Sequence, residues 1–163
     1  MRCLTSSEIR KWLAGQGMHH QPHDCGVPVA GDFRLPEECQ TRQELADGFF
    51  DLLIKDGNKL VEIMPAPQRS PDEWDQIRDF QTSCDEVRPA ISTPGYLFKS
   101  ADRANFRGML SKLMGFPSGW TFYVYSAPSH TTLLVDGDRM EIWSLKRGLR
   151  NEFSRLLPSR RAA

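Results

Sequence analysis

The chain has 163 residues, 39% of them hydrophobic and 26% charged, with 21 lysines and arginines against 21 aspartates and glutamates. That length suits one domain with a core large enough to need no staples, and the charge balance excludes a global field drawing the chain to nucleic acid or an anionic membrane. No apolar run approaches the ~18 residues of a membrane helix and the opening MRCLTSSEIRKWL turns polar too early for a secretory signal, so a cytoplasmic protein is expected, with Cys3, Cys25, Cys39 and Cys84 as free thiols.

Thr5-Ser6-Ser7-Glu8 reads as a capping box, with Leu4 and Ile9 placed as the hydrophobic staple of a first helix. Ile9, Trp12 and Leu13 share a face, and Gly15 and Gly17 are natural stops. From Met18 to Glu38 the chain is rich in His, Pro and Gly, and Pro22, Pro28 and Pro36 preclude a helix. A short strand is expected near Phe33 to Leu35. So long a connection in a compact domain is either functional or conceals structure. Thr41 to Glu44 repeats the capping box, and Leu45, Phe49, Leu52 and Leu53 form the stripe of a second helix that Gly57 ends. Lys59 to Met64 reads as a strand.

Ser70-Pro71-Asp72-Glu73 is the fullest helix start in the chain. Trp74, Ile77, Phe80 or Gln81, and Cys84 supply the inner face of this third helix, with Asp72, Glu73, Asp75 and Asp79 on its solvated side. Arg88-Pro89 stops it. Pro94-Gly95 marks a turn, Tyr96 to Lys99 a strand, and Ser100 with Asp102 a further helix start. Phe106, Met109, Leu110, Leu113 and Met114 recur at helical spacing until Gly115 and Pro117.

Gly119 to Ser144 carries the clearest pattern. Trp120, Phe122 and Val124 alternate with Thr121, Tyr123 and Tyr125, and the turn residues Ser126, Pro128 and Ser129 lead into a hairpin. Asp136-Gly137 suits the centre of a type I′ turn, so that Val135 faces Asp138 and Leu134 faces Arg139. Leu133, Val135, Met140 and Ile142 then share the core face, and His130, Thr132, Leu134, Arg139, Glu141 and Trp143 share the other. A last helix carries Leu145, Leu149, Phe153, Leu156 and Leu157 on one stripe and ends at Pro158. The expected fold is α+β: a mostly antiparallel sheet with a C-terminal hairpin and helices packed on one face. Residues 1–158 form one domain and 159–163 a mobile basic tail.

Three constellations could carry chemistry or binding. His19, His20, His23 and Cys25 are donors for zinc or a later first-row metal, but Pro22 prevents the helix that would align His19 with His23, and no closed-site spacing is present. A loop without metal or other cofactor is therefore the expectation. Cys25 or Cys84 with His130, oriented by Glu141, has the order of a thiol hydrolase. That order, with a histidine at a strand start, resembles papain-like amidohydrolases of the cell-wall class, although the cysteine at a helix start that such enzymes use is missing. Third, Lys146, Arg147 and Arg150, with Arg155, Arg160 and Arg161, oppose an acidic stretch from Asp72 to Glu86. Segregated charge of this kind favours a charged macromolecular partner, and Tyr125, His130, Leu134, Arg139 and Trp143 would add aromatic and polar anchors from the outward sheet face. No Gly-rich phosphate loop occurs, and nucleic acid ranks below protein as a partner.

Glu86-Val87-Arg88-Pro89 followed by Pro94-Gly95-Tyr96-Leu97-Phe98, with the aromatic strand and hairpin behind it, resembles small bacterial proteins without established activity, over roughly the second half of the chain. Some of these are immunity-like. The resemblance implies a non-enzymatic binding or regulatory protein that neutralises a toxin by holding it, and it transfers no functional residue.

Overall fold

The computed structural model describes residues 1–26, 28–53, 57–64, 70–83, 85–116, 119–145 and 148–157. Its strands are β1 (Arg2–Leu4), β2 (Gly31–Arg34), β3 (Lys59–Ile63), β4 (Gly95–Phe98), β5 (Phe122–Ser126), β6 (Thr131–Asp136) and β7 (Arg139–Ser144). The helices are α1 (Ser6–Gly15), α2 (Cys39–Leu53), α3 (Pro71–Thr82), α4 (Arg103–Gly115) and α5 (Leu149–Leu156). The described strands form one sheet of order β1-β4-β3-β5-β6-β7-β2, every neighbouring pair antiparallel. The α+β class read from the sequence is the class observed.

Strand alternation divides the side chains between two cores. Val61, Ile63, Tyr96, Phe98, Phe122, Val124, Leu133, Val135, Met140 and Ile142 point to one face, where Phe49, Ile77, Phe106, Met109 and Phe153 of α2, α3, α4 and α5 cover them. Leu60, Tyr123, Tyr125 and Trp143 point to the other face, where Leu4 and the Ile9 and Leu13 of α1 cover them. The first helix thus packs opposite the other four. Gly95 permits this approach, because a Cβ built there would lie 2.6 Å from Ile9 Cγ1.

The capping box of α1 forms as read, Thr5 accepting from the Glu8 backbone and Glu8 accepting from that of Thr5. The second capping box does not. Helix α2 already starts at Cys39, and the Thr41 hydroxyl donates to Glu38 instead (3.1 Å). The buried stripe of α3 is Glu73, Ile77 and Gln81, so Glu73 lies inside rather than on the solvated side. Leu145 is no part of the α5 stripe: it precedes the helix and is 82% exposed.

The hairpin tip differs by one residue from the expected turn. Asp136 pairs with Arg139, which puts Gly137 and Asp138 at the centre, Gly137 with φ +60°. A left-handed glycine followed by a residue of ordinary φ is the type II′ solution, equally compatible with strand twist. Moving the tip by one changes every partner by two, so Val135 faces Met140 and Leu134 faces Glu141 while each side chain keeps its expected face. Cys84, Lys146, Arg147 and the tail 159–163 lie outside the described residues, as does the side chain of Arg150.

Because the close approach of α1 rests on a missing Cβ, Gly95→Ala should destabilise the protein by about 1–3 kcal/mol through overpacking. Leu145→Ala should stay within about 0.5 kcal/mol. Urea unfolding of the two variants beside the parent chain checks both values.

Candidate functional site

Two buried carboxylates organise the second face of the sheet. Glu62 on β3 and Glu141 on β7 lie in one cross-strand row, Glu62–Tyr123–Leu134–Glu141, with Asp32 beyond it on β2. Their residues are only 4% and 3% exposed. An ionised carboxylate in such a place is tolerated only when paired and hydrogen-bonded. Neither α1 nor the neighbouring strands supply all the partners.

The His-rich connection supplies the rest. It leaves α1 through Gly17 (φ +65°) and crosses the sheet face, with Gln21 in the left-handed region (φ +47°). His20 Nε2 donates to Glu62 Oε1 (2.9 Å), since a carboxylate can only accept, and the Tyr125 hydroxyl donates to Glu62 Oε2 (2.9 Å). The backbone N–H of Gln21 in turn donates to the Tyr125 oxygen (3.2 Å). Three residues on, His23 Nδ1 reaches Glu141 Oε2 (3.2 Å), whose other oxygen holds Arg139 (2.7 Å). The His23 ring also meets Trp143 edge to face at 6.4 Å. We call this connection, residues 17–26, the strap.

The four candidate donors are directed to different places. His20 and His23 serve two different carboxylates whose backbones are three strand spacings apart, about 14 Å, while Cys25 donates weakly to the His20 carbonyl (3.6 Å) and His19 lines a cavity elsewhere. Among the described residues no group of three or more His, Cys, Asp or Glu is disposed to hold a metal ion.

The thiol hydrolase constellation is not assembled among the described residues. Glu141 faces Leu134, four residues along β6 from His130 or about 13 Å, so it orients His23 and not His130. No hydrogen bond joins Cys25 to His130, and Cys84 lies outside the described residues. Of the expected partner-binding set, Tyr125 (0% exposed) and Trp143 (4%) are buried beneath α1 and the strap, and Leu134 is half-buried. Arg139 is exposed but committed to Asp32 (3.0 Å) and Glu141. Lys146 and Arg147 cannot be placed on the surface, being outside the described residues.

His130 is exposed and borders open space. It ends the 3₁₀ turn Ala127–Ser129 in the left-handed region (φ 43°, ψ 47°), a conformation that His adopts more readily than most residues. Two cavities flank it. One of about 350 Å³ lies towards the strap, walled by Met18, His19, Pro22 and Trp143. The other, of about 400 Å³, lies towards α2 and α5, walled by Leu52, Leu53 and Leu149. His130 and Leu145 border both, so the two cavities form one groove with a ridge of an imidazole and an exposed leucine.

No family model, no curated protein and no solved structure matches the chain. No described helix is long and apolar enough to cross a membrane.

Glu62 and Leu145 are the site residues that sequence reading missed. Glu62 left a signal: it is the one acid in Lys59–Met64, set among the apolar Leu60, Val61, Ile63 and Met64, upstream of an aromatic strand. Leu145 left none, because it continues the α5 stripe in phase.

Burial decides how the two latches differ. His20 is 26% exposed against a 5% exposed Glu62 side chain, whereas His23 is 57% exposed. His20→Ala should therefore cost about 1–3 kcal/mol, leaving a buried acceptor short of a donor, and His23→Ala about 0–1 kcal/mol. Denaturant unfolding of each variant, with limited proteolysis of the strap, measures the difference.

The chain's tyrosines give a second check. Burial is the chief cause that raises all of them, Tyr123 to about 12 and Tyr96 and Tyr125 well above the usual phenol range, with the Glu62 charge adding to the effect on Tyr125. The folded state keeps protons that an unfolded chain releases near pH 10, so the stability these phenols confer is complete below that pH and declines as pH rises past it. Ultraviolet titration should show no phenolate near pH 10 in the folded protein, and phenolate should then appear together with unfolding.

Proposed function

We propose that this is a non-enzymatic bacterial protein of the cytoplasm that binds another protein, in the manner of immunity proteins that neutralise a toxin, through the groove divided by His130 and Leu145. The observation that carries the reading is the 82% exposure of Leu145 on the ridge between two cavities of about 350 and 400 Å³. An isolated exposed leucine is ordinary. One flanked by open apolar walls can seat a partner's side chains on either side, as interface anchors do.

The charge of the partner follows from the sequence around the ridge. Lys146 and Arg147 come directly after Leu145, and Arg150 follows five residues on, which favours an acidic partner surface and fast encounter. The ionisable groups of the second face support the same reading from the other side. His20 is paired with Glu62 and His23 with Glu141, so these groups fix the groove's strap-side wall.

The test is affinity capture with the products of neighbouring genes, using the parent chain and Leu145→Asp as baits of equal stability. A partner held by the parent chain should be lost by the variant at least about tenfold, the effect of ~1.4 kcal/mol, and its association should slow with salt. A chain that captures none of them, yet cleaves peptide or isopeptide bonds and loses that activity on Cys25→Ala, would overturn the proposal.

A further inference from the structure

A sheet that does not close has two edges, and each presents backbone N–H and C=O groups that can pair with a further strand. At the β1 edge the Arg88 guanidinium donates to the Cys3 carbonyl (3.2 Å) and is held there by Glu86 (2.7 Å). The β2 edge carries no such plug. β2 lies beside β7 alone, and the Leu35 N–H donates to the Asp138 carbonyl (2.6 Å). That bond sets the parity of the ladder: Gly31 and Phe33 turn their backbone groups to β7, and Asp32 and Arg34 turn theirs away from the sheet. No described residue hydrogen-bonds to these outward groups.

Charge on an edge strand is one way to discourage pairing, and a run of one sign would repel a second copy. β2 instead carries one charge of each sign. Asp32 and Arg34 both stand on the second face of the sheet, their side chains 54% and 53% exposed. When a second copy lies antiparallel about a two-fold axis at Phe33, each Asp32 faces the other copy's Arg34. Both pairs then fall at hydrogen-bonded positions of the ladder, so one register satisfies charge and backbone together. Changing partners by two residues sets Asp32 against Asp32 or Arg34 against Arg34, and changing them by one mismatches the backbone groups. The neighbours extend the pattern. Arg139 holds Asp32 (3.0 Å) and Asp138 holds Arg34 (2.6 Å), so the signs alternate from Arg139 through Asp32 to the other copy's Arg34 and Asp138.

On the helix-covered face Phe33 is half-buried, its ring 6.5 Å from that of Phe153. At the two-fold axis it meets its own counterpart in the closely spaced position, about 4.5 Å between Cα atoms, where aromatic pairs interact across strands. We propose that β2 pairs with β2 of a second copy of this chain, antiparallel and centred on Phe33, joining the two sheets into one. Pro28 and Pro36 bound the strand, so the contact is short and the dimer weak, with a dissociation constant of about 1 μM to 1 mM. Neither Asp32 nor Arg34 lines the groove at His130.

The experiment is sedimentation equilibrium of the intact protein at low salt, up to about 1 mM, the weak end of that range. A monomer–dimer equilibrium is expected. Asp32→Arg and Arg34→Asp each place like charges face to face and should weaken it at least about tenfold. An equimolar mixture of the two variants restores opposite charges at both positions and should associate about as well as the parent chain, which two misfolded variants could not do. A parent chain that stays monomeric throughout, a dimer indifferent to both variants, or a mixture that fails to associate overturns the proposal. So does a dimer that survives both charge variants and is lost on Leu145→Asp, which would place the contact at the groove.

Discussion

A carboxylate inside a protein needs company, and Glu62 and Glu141 are two of them on one sheet face. The cost of desolvating each ion runs to several kcal/mol, recovered only where geometry and hydrogen bonding are good. Here each glutamate has two partners: His20 and Tyr125 for one, His23 and Arg139 for the other. The histidines come from 42 and 118 residues away in sequence. The strap is therefore tied to the sheet by hydrogen bonds to buried carboxylates as well as by the apolar packing of Met18, which explains how a segment too rich in Pro and Gly for regular structure still has a defined path.

That tie changes the architecture. An antiparallel sheet with helices on one side ordinarily leaves its other side wet. In this protein α1 and the strap cover it, so Tyr123 and Tyr125 stack at 5.7 Å under a roof instead of facing water. Gly95 and Glu62 occupy adjacent places in the same cross-strand row. One admits a helix by lacking a side chain, and the other admits a loop by offering a charge. Two opposite local solutions thus close the same face.

The fold was legible where the sequence speaks in short-range terms. The Thr5 to Glu8 box, the Ser70-Pro71 start and the period-2 alternation from Trp120 to Trp143 each encode their element within a few residues. The alternation fixed the faces even though the turn centre was misplaced by one, because side-chain parity survives a two-residue change of partner. The three-residue strand β1 was not legible, since so short a run shows no period, and its pairing with β4 is purely tertiary. The candidate site was harder. His20, His23 and Glu141 stood out as reactive types, but their meaning lay in which carboxylate each meets, and no spacing in the chain encodes a contact across 118 residues. The outward aromatics were read as surface because alternation says which face a residue takes and nothing about what covers it.

The strap and the groove meet at Trp143, which takes the edge of His23 on one side and walls the cavity beside His130 on the other. Gly17 adds a second junction, its α-carbon so close to the His130 ring that an added Cβ would lie 4.0 Å from Cε1. The Trp143 junction sits at the weaker latch of the strap, where His23 is exposed and its bond to Glu141 is the longer of the two histidine–glutamate contacts. Local opening follows the contacts of lowest free energy, so the strap would part from the sheet near Trp143 before it parts from Glu62. The groove wall is thereby the most adaptable part of the covered face, while the buried Glu62 and Tyr125 hold the rest of the strap in place.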